Sequence, residues 1–152
     1  MKKTILALAV MLTTVLTSAF ANKSEEINQR ALASFGKDFV SAKNASWQQS
    51  ADYAKVTFNL NNHVLFAYYN QDGELLAVVR NILTDQLPVN LLTTMKKKYK
   101  SYWVSELFEV ATGEQTNYYV TLESGDEKIV LKSEGTDEWK LYSHEPKNCV
   151  AL

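Results

Sequence analysis

The residues that most often perform catalysis or bind metals are few in this sequence and far apart. The two histidines, His63 and His144, have no cysteine or carboxylate at the spacing of a zinc ligand set. The sequence contains no G-x-S-x-G, phosphate-binding loop, dinucleotide glycine fingerprint or C-x-x-C. Because a reaction needs positioned acids, bases or nucleophiles, we predict no enzyme activity, no catalytic residue, no metal and no cofactor.

Three acidic turns could be taken for calcium ligands. They are Asp72-Gly73-Glu74, Gly125-Asp126-Glu127 and Asp137-Glu138. Each lacks the dense ligand spacing of a calcium loop. Asp and Gly are common in tight turns, which explains these residues without a bound ion, so we predict no calcium site.

Cys149 is the one cysteine in the sequence, which excludes an internal disulfide. No histidine or aspartate near it in the sequence would lower its pKa, so we do not expect a functional thiol. The last four residues match a prenylation box, and we interpret the match as chance. A disulfide between Cys149 and another chain stays open.

The first residues predict export. Two lysines follow Met1, an apolar run covers Ile5 to Leu16, and Ala19-Phe20-Ala21 matches a cleavage site. We predict a signal peptide at residues 1–21 and a single domain at 22–152. The apolar run is too short for a membrane span, so we expect a periplasmic or secreted protein without stable membrane insertion.

Cleavage would leave a mildly acidic chain. Removing Lys2 and Lys3 from the 16 basic residues leaves 14 against 17 acidic residues, a formal charge of −3. A nucleic-acid partner requires a basic surface, so we predict none.

The segment from Tyr53 to Arg80 predicts three strands of an antiparallel meander. Apolar and polar residues alternate from Lys55 to Leu60, as in a half-buried strand. Asn61-Asn62 suits a tight hairpin turn, because asparagine tolerates positive φ. Strands are expected at His63 to Tyr69 and at Leu75 to Ile82.

The same pattern occurs twice. A first helix is predicted between Lys23 and Phe39, ending near Gly36, and a short strand near Asn44 to Gln48 precedes the meander. A second helix is predicted from Leu87-Pro88, with Val89, Leu92, Met95 and Tyr99 on its apolar side. Four further strands are expected at Tyr102 to Val110, Asn117 to Glu123, Glu127 to Lys132 and Glu138 to Tyr142.

A shift of about 64 residues aligns the two halves. We therefore predict an α+β fold of two tandem helix-plus-antiparallel-sheet repeats, about 23–82 and 87–143, with a short C-terminal tail. The repeats would form one curved sheet with both helices on one face.

Lys96, Lys97, Lys98 and Lys100 crowd the end of the second predicted helix. Cations there interact favourably with the helix dipole, which is the interpretation we favour. A contact with an acidic membrane or partner stays open.

Alternation along the strands assigns each residue to one sheet face. The apolar set expected to face the helices comprises Val56, Phe58, Leu65, Ala67, Leu75, Ala77, Val120, Leu122, Ile129, Leu131, Trp139 and Leu141. The set expected on the open face is Tyr53, Lys55, Phe66, Tyr68, Arg80, Trp103, Tyr119, Lys140 and Tyr142. Aromatic residues interleaved with Lys and Arg are typical of protein-binding surfaces, so we predict that this second set binds a partner.

An ordered set of short patterns carries a family resemblance. It comprises a helix before Trp47, Tyr53 to Phe58, Tyr69 to Glu74, the Leu87-Pro88 helix start and Tyr118-Tyr119-Val120. Together they resemble the beta-lactamase-inhibitor-like, PepSY-like family of exported bacterial proteins, over about Glu26 to Tyr142. The resemblance implies two helix-plus-sheet units with an open concave face, and no catalytic residues.

Two functional hypotheses follow. The first is a non-catalytic extracytoplasmic module that binds an unknown protein or peptide on the open sheet face and inhibits a secreted enzyme. The alternative is a small-ligand-binding or chaperone-like envelope protein that uses the cleft between the sheet and neighbouring loops.

Overall fold

The computed structural model describes residues 26–113 and 115–147. The helices are α1 (Gln29–Asp38) and α2 (Val89–Lys98), and a 3₁₀ turn at Thr84–Gln86 precedes α2. The strands are β1 (Lys43–Gln49), β2 (Ala54–Leu60), β3 (His63–Tyr69), β4 (Leu75–Asn81), β5 (Trp103–Thr112), β6 (Gln115–Glu123), β7 (Glu127–Glu134) and β8 (Glu138–Pro146). The predicted signal peptide and Cys149 lie outside the described residues.

All eight strands form one antiparallel sheet whose spatial order equals the chain order. Each strand pairs with the next, so short turns make most of the connections. Asn61 and Asn62 have φ of 50° and 64°, the left-handed conformation expected of the β2–β3 turn. The predicted α+β class is confirmed, with two α-helices and an open antiparallel sheet in the described part of the chain.

α1 begins later and ends later than the sequence predicts. The Asn28 side chain caps it by accepting a hydrogen bond of 2.9 Å from the Arg30 backbone N–H. The helix continues through Gly36 to Asp38. Phe35 explains this, because its ring packs edge-on against Trp47 and Phe58, at centroid distances of 5.4 and 5.0 Å, and holds the last turn on the sheet.

α2 starts after Pro88, as expected, and Leu92, Met95 and Tyr99 of its predicted apolar side pack in or against the core. Leu91 and Met95 are buried, whereas Val89 is 76% exposed. The Trp139 indole N–H donates to the backbone oxygen of Leu91 at 2.9 Å, which ties β8 to this helix. The predicted inward orientation of Val89 is therefore wrong.

Both helices cover the same face of the sheet. The α1 core contains Leu65 of β3, and the α2 core contains Tyr118 of β6. The registered pairs across the intervening strands are Leu65–Arg80, Arg80–Glu109 and Glu109–Tyr118. Since paired residues share a face, the two cores lie on one side, here called the helix-covered face.

Within residues 26–113 and 115–147, the two ten-residue helices are too short to span a membrane. Within the same residues, no group of three or more His, Cys, Asp or Glu side chains could hold a metal ion.

Candidate binding face

The other side of the sheet, here called the helix-free face, carries a cluster of rings around a centre of small side chains. Val79 of β4 pairs with Val110 of β5, and Ala77 lies beside them. The buried members are Tyr68, Ala77, Val79, Val110, Tyr119 and Val130, and the half-buried members are Tyr53, Phe66, Leu76, Phe108 and Tyr142. The face thus carries a third apolar cluster, beside the α1 and α2 cores, and its outer rings remain in contact with solvent.

Tyr53, Lys55, Phe66 and Tyr68 form one side of this cluster. The Tyr53 and Tyr68 rings lie 5.6 Å apart at 55°. Lys55 Nζ lies 4.9 Å from the Phe66 ring centroid and 5.9 Å from that of Tyr68, within the range of cation–π attraction. Burial lowers the pKa of Lys55, because desolvation disfavours its charged form.

Tyr119, Lys132 and Tyr142 form a similar arrangement on the other side. Tyr119 and Tyr142 meet edge to face at 5.7 Å. Lys132 Nζ lies 5.6 Å from the Tyr119 centroid. Each side of the face therefore holds one lysine against aromatic rings.

Two phenols lie beneath the surface of this face. Tyr68 is 5% exposed and Tyr119 is 6% exposed. Burial raises the pKa of Tyr68 to about 12, with a smaller contribution from Tyr53, and burial raises the pKa of Tyr119 to about 12. Both side chains are therefore neutral at ordinary pH and support the rings around them.

The structure brings most of the predicted site residues to this face. Six of them belong to the ring cluster or pack against it: Tyr53, Lys55, Phe66, Tyr68, Tyr119 and Tyr142. Lys140 pairs with Lys132 and forms an ion pair with Glu134 at 2.6 Å, so it lies at the border of the face.

Trp103 lies apart from the ring cluster, at the start of β5. It is 54% exposed, and Lys147 Nζ lies 4.9 Å above its ring. Lys147 also forms an ion pair with Glu123 at 2.8 Å. Trp103 is therefore a separate exposed ring, held at a charged corner of the sheet.

Arg80 lies on the helix-covered face, contrary to the prediction. Between β3 and β4 the register shifts, because Tyr68 pairs with Ala77 while Tyr69 pairs with Leu75. The extra residue is a β-bulge that reverses the facing of the following residues. Ala77, predicted to face the helices, consequently lies on the helix-free face.

Arg80 has a structural partner there. Its Nε donates to Glu109 Oε1 at 2.8 Å and its Nη2 donates to Oε2 at 3.0 Å. This two-pronged pair joins β4 to β5 between the two helix cores. Hydrogen bonding to Glu109 raises the pKa of Arg80, so the guanidinium stays charged.

Two other predicted helix-facing residues are poorly covered. Leu75 is 40% exposed and Leu141 is 64% exposed. Leu141 pairs with Leu131 next to a second register shift, which brings the Tyr142 ring to Tyr119. Both leucines keep the predicted side of the sheet, since their partners Tyr69 and Leu131 belong to the helix-covered cores, but the helices leave them partly open to solvent.

Besides Ala77, six residues of this face are absent from the predicted set: Leu76, Val79, Phe108, Val110, Val130 and Lys132. Val79 and Val110 look like ordinary core residues in the sequence, since strands β4 and β5 are apolar on both faces. The signal that could have identified them is the apolar character of both faces of these strands, because it indicates that neither face is fully solvated.

The histidines do not form a metal site in the described part of the chain. His144 Nε2 lies 2.6 Å from Glu127 Oε2, and the Tyr102 hydroxyl donates to the other oxygen of Glu127. Hydrogen bonds lower the pKa of Glu127, and the one from Tyr102 contributes more than the one from His144. The ring cluster itself presents apolar and cationic contact area rather than an acid–base pair.

Comparisons with known proteins place the fold. No protein-family model matches the chain, and no curated protein matches its sequence. Solved structures do match. A BLIP-like protein from Bacteroides fragilis NCTC 9343 has a TM-score of 0.68 and 19% identity, over 82% of this chain and 89% of that one.

Two further solved structures have the same fold. A DUF2874 family protein from Bacteroides ovatus ATCC 8483 has a TM-score of 0.70 and 16% identity, over 81% of this chain and 89% of that one. A protein from Bacteroides eggerthii DSM 20697, provisionally assigned to the periplasm, has a TM-score of 0.70 and 13% identity, over 80% of this chain and 90% of that one. These three structures confirm the predicted beta-lactamase-inhibitor-like fold.

Proposed function

We propose that this chain is a non-catalytic extracytoplasmic module that binds a protein or peptide on the helix-free face. The observation that carries the proposal is the ring cluster with Lys55 and Lys132 held against it. Aromatic rings give large contact area at low entropic cost, and they dominate protein-binding hot spots.

Buried and exposed members of the face have different roles in this proposal. Tyr68 and Tyr119 are nearly inaccessible and fix the positions of the rings above them. Tyr53, Phe66 and Phe108 are half-buried and offer ring surface to a partner. A rigid base under partly exposed rings reduces the ordering cost of binding.

The charges on the face favour an acidic partner surface. Among the described residues, no carboxylate lies within ion-pair distance of Lys55 or Lys132. A partner carboxylate beside Lys55 would offset the desolvation of its ammonium group and steer association. Five strand spacings of about 4.8 Å separate the two lysine-bearing strands, so a partner would span about 24 Å to meet both.

Export and inhibition belong to the same proposal. The leader pattern at residues 1–21 and the fold shared with a protein provisionally assigned to the periplasm support a periplasmic or secreted location. The fold shared with a BLIP-like protein supports a secreted enzyme as the target and inhibition as the outcome.

We also propose that the two halves derive from one repeated unit. Each half has a ten-residue helix followed by strands, and each helix covers its own core on the same face. Superposing residues 29–81 on 89–146 tests this proposal, since two unrelated halves would not align strand for strand.

Photo-crosslinking in the native envelope tests the binding face. The crosslinker p-benzoylphenylalanine is placed at Thr57, which pairs with Phe66 on the helix-free face, or at Thr93, which is exposed on α2. We expect a specific crosslinked protein from position 57 and none from position 93. Crosslinks from position 93 alone, or from neither position, would contradict the proposal.

A further inference from the structure

A cavity of about 330 Å³ lies between the C-terminal half of α2 and the sheet, on the helix-covered face. It is separate from the helix-free face, and the proposed function makes no use of it. Met95, Val104 and Leu122 line its floor. Met95 is 5% exposed and Leu122 is 1% exposed, so the floor is part of the α2 core.

Two tyrosine rings contribute to the walls of this cavity. Tyr99 and Tyr102 meet edge to face, with centroids 5.9 Å apart and an angle of 79° between the rings. Both are half-buried and pack against the same core. The part of the lining formed by Met95, Val104, Leu122 and the two rings is therefore apolar and aromatic, which suits a hydrocarbon body.

Lys96 and Lys100 contribute to the lining and are exposed. Within residues 26–113 and 115–147, neither forms an ion pair with a carboxylate. Glu127 contacts Tyr102, but its two carboxylate oxygens are already engaged by Tyr102 and His144. Lys96 and Lys100 thus supply the cationic side of the cavity.

We propose that this cavity binds a small anionic amphiphile, a carboxylate attached to an unbranched apolar chain of about ten carbons. The chain would lie over Met95, Val104 and Leu122, and the carboxylate would accept hydrogen bonds from Lys96 and Lys100. The volume equals that of about eleven water molecules at ~30 Å³ each, at the small end of ligand pockets.

Decanoate binding to the exported chain, residues 22–152, tests this proposal. Met1 and Met11 belong to the predicted signal peptide, so Met95 is the one methionine left after cleavage and ¹³C-methyl labelling gives a single signal. We expect decanoate to shift the Met95 signal saturably. We expect uncharged decanol to bind about tenfold more weakly, because it lacks the charge-assisted contacts.

Paired lysine variants supply the control. Lys96→Gln with Lys100→Gln should weaken decanoate binding about tenfold, whereas Lys97→Gln with Lys98→Gln, on the same helix but outside the cavity lining, should leave it unchanged. Val104→Phe should fill the cavity and abolish the saturable shift. Four results would each overturn the proposal: an unmoved Met95 signal, equal binding of decanol, undiminished binding by the first lysine pair, or a saturable shift retained by Val104→Phe.

Discussion

The buried phenols of Tyr68 and Tyr119 predict a loss of stability in alkali. Each has a pKa of about 12 in the folded chain, against about 10 in an unfolded chain. Between these values the unfolded state releases the proton first, so the free energy of unfolding falls as pH rises. Stability is fully present below pH 10 and declines towards pH 12.

The magnitude follows from the two pKa values. At pH 11 an unfolded tyrosine has lost most of its proton while the folded one has kept it, which costs about 1.4 kcal/mol for each residue. Tyr68→Phe removes one of these contributions. The fall in unfolding free energy between pH 9 and pH 11 should therefore be about 1.4 kcal/mol smaller in Tyr68→Phe than in the unchanged chain.

Urea unfolding at both pH values, followed by tryptophan fluorescence, measures this difference. Phe66→Leu is a suitable control, because it alters the same face without changing any phenol and should show the full pH-dependent fall. If Tyr68→Phe showed the same fall as the unchanged chain, the phenol would be solvated. Tyr68 would then not be a buried support for the rings above it.

Two further predictions concern particular contacts. Gly73 has φ of +80°, and an added Cβ would lie 2.8 Å from the Arg30 carbonyl carbon and Cβ, so Gly73→Ala should cost about 2 kcal/mol or more by thermal unfolding. Gly113, at φ of +56° with nothing within 4 Å, is the matched control, and Gly113→Ala should cost about 1 kcal/mol; equal costs would exclude the Arg30 clash. Glu109→Gln should lower the unfolding free energy by about 1 kcal/mol at low salt and less at high salt, because it removes the charge that Arg80 contacts; an effect independent of salt would contradict this.

The sequence predicts the strands well because their signals are local. Alternation in β2, the Asn61-Asn62 turn and the Pro88 helix start depend on a few neighbouring residues. A meander pairs each strand with the next, so its topology needs no long-range information.

Local signals in the sequence could not predict which sheet face each side chain of β4 occupies. One extra residue between the Tyr68–Ala77 and Tyr69–Leu75 pairs exchanges the two faces and moves Arg80 to the helix side. The sequence shows an apolar run in β4 whichever face is buried. Only the pairing to β3 distinguishes the two registers.

The sequence also could not predict how deeply Tyr68 and Tyr119 are buried on the helix-free face. Tyr68 and Tyr119 were assigned to the open face and lie there, but neighbouring rings exclude solvent from them. Alternation indicates which face a side chain occupies, not how closely its neighbours pack over it. The accessible contact area therefore lies on Phe66, Tyr53 and Phe108.

The most direct test of the binding face is the affinity of two double variants for the protein crosslinked from position 57. Lys55→Ala with Phe66→Ala removes accessible groups from the helix-free face, and Lys97→Ala with Thr93→Ala changes exposed groups on α2. By calorimetry with purified proteins, we predict at least a tenfold loss of affinity, about 1.4 kcal/mol, for the first pair and no change for the second. Unchanged affinity of the first pair, or loss confined to the second, would contradict the assignment of partner binding to the helix-free face.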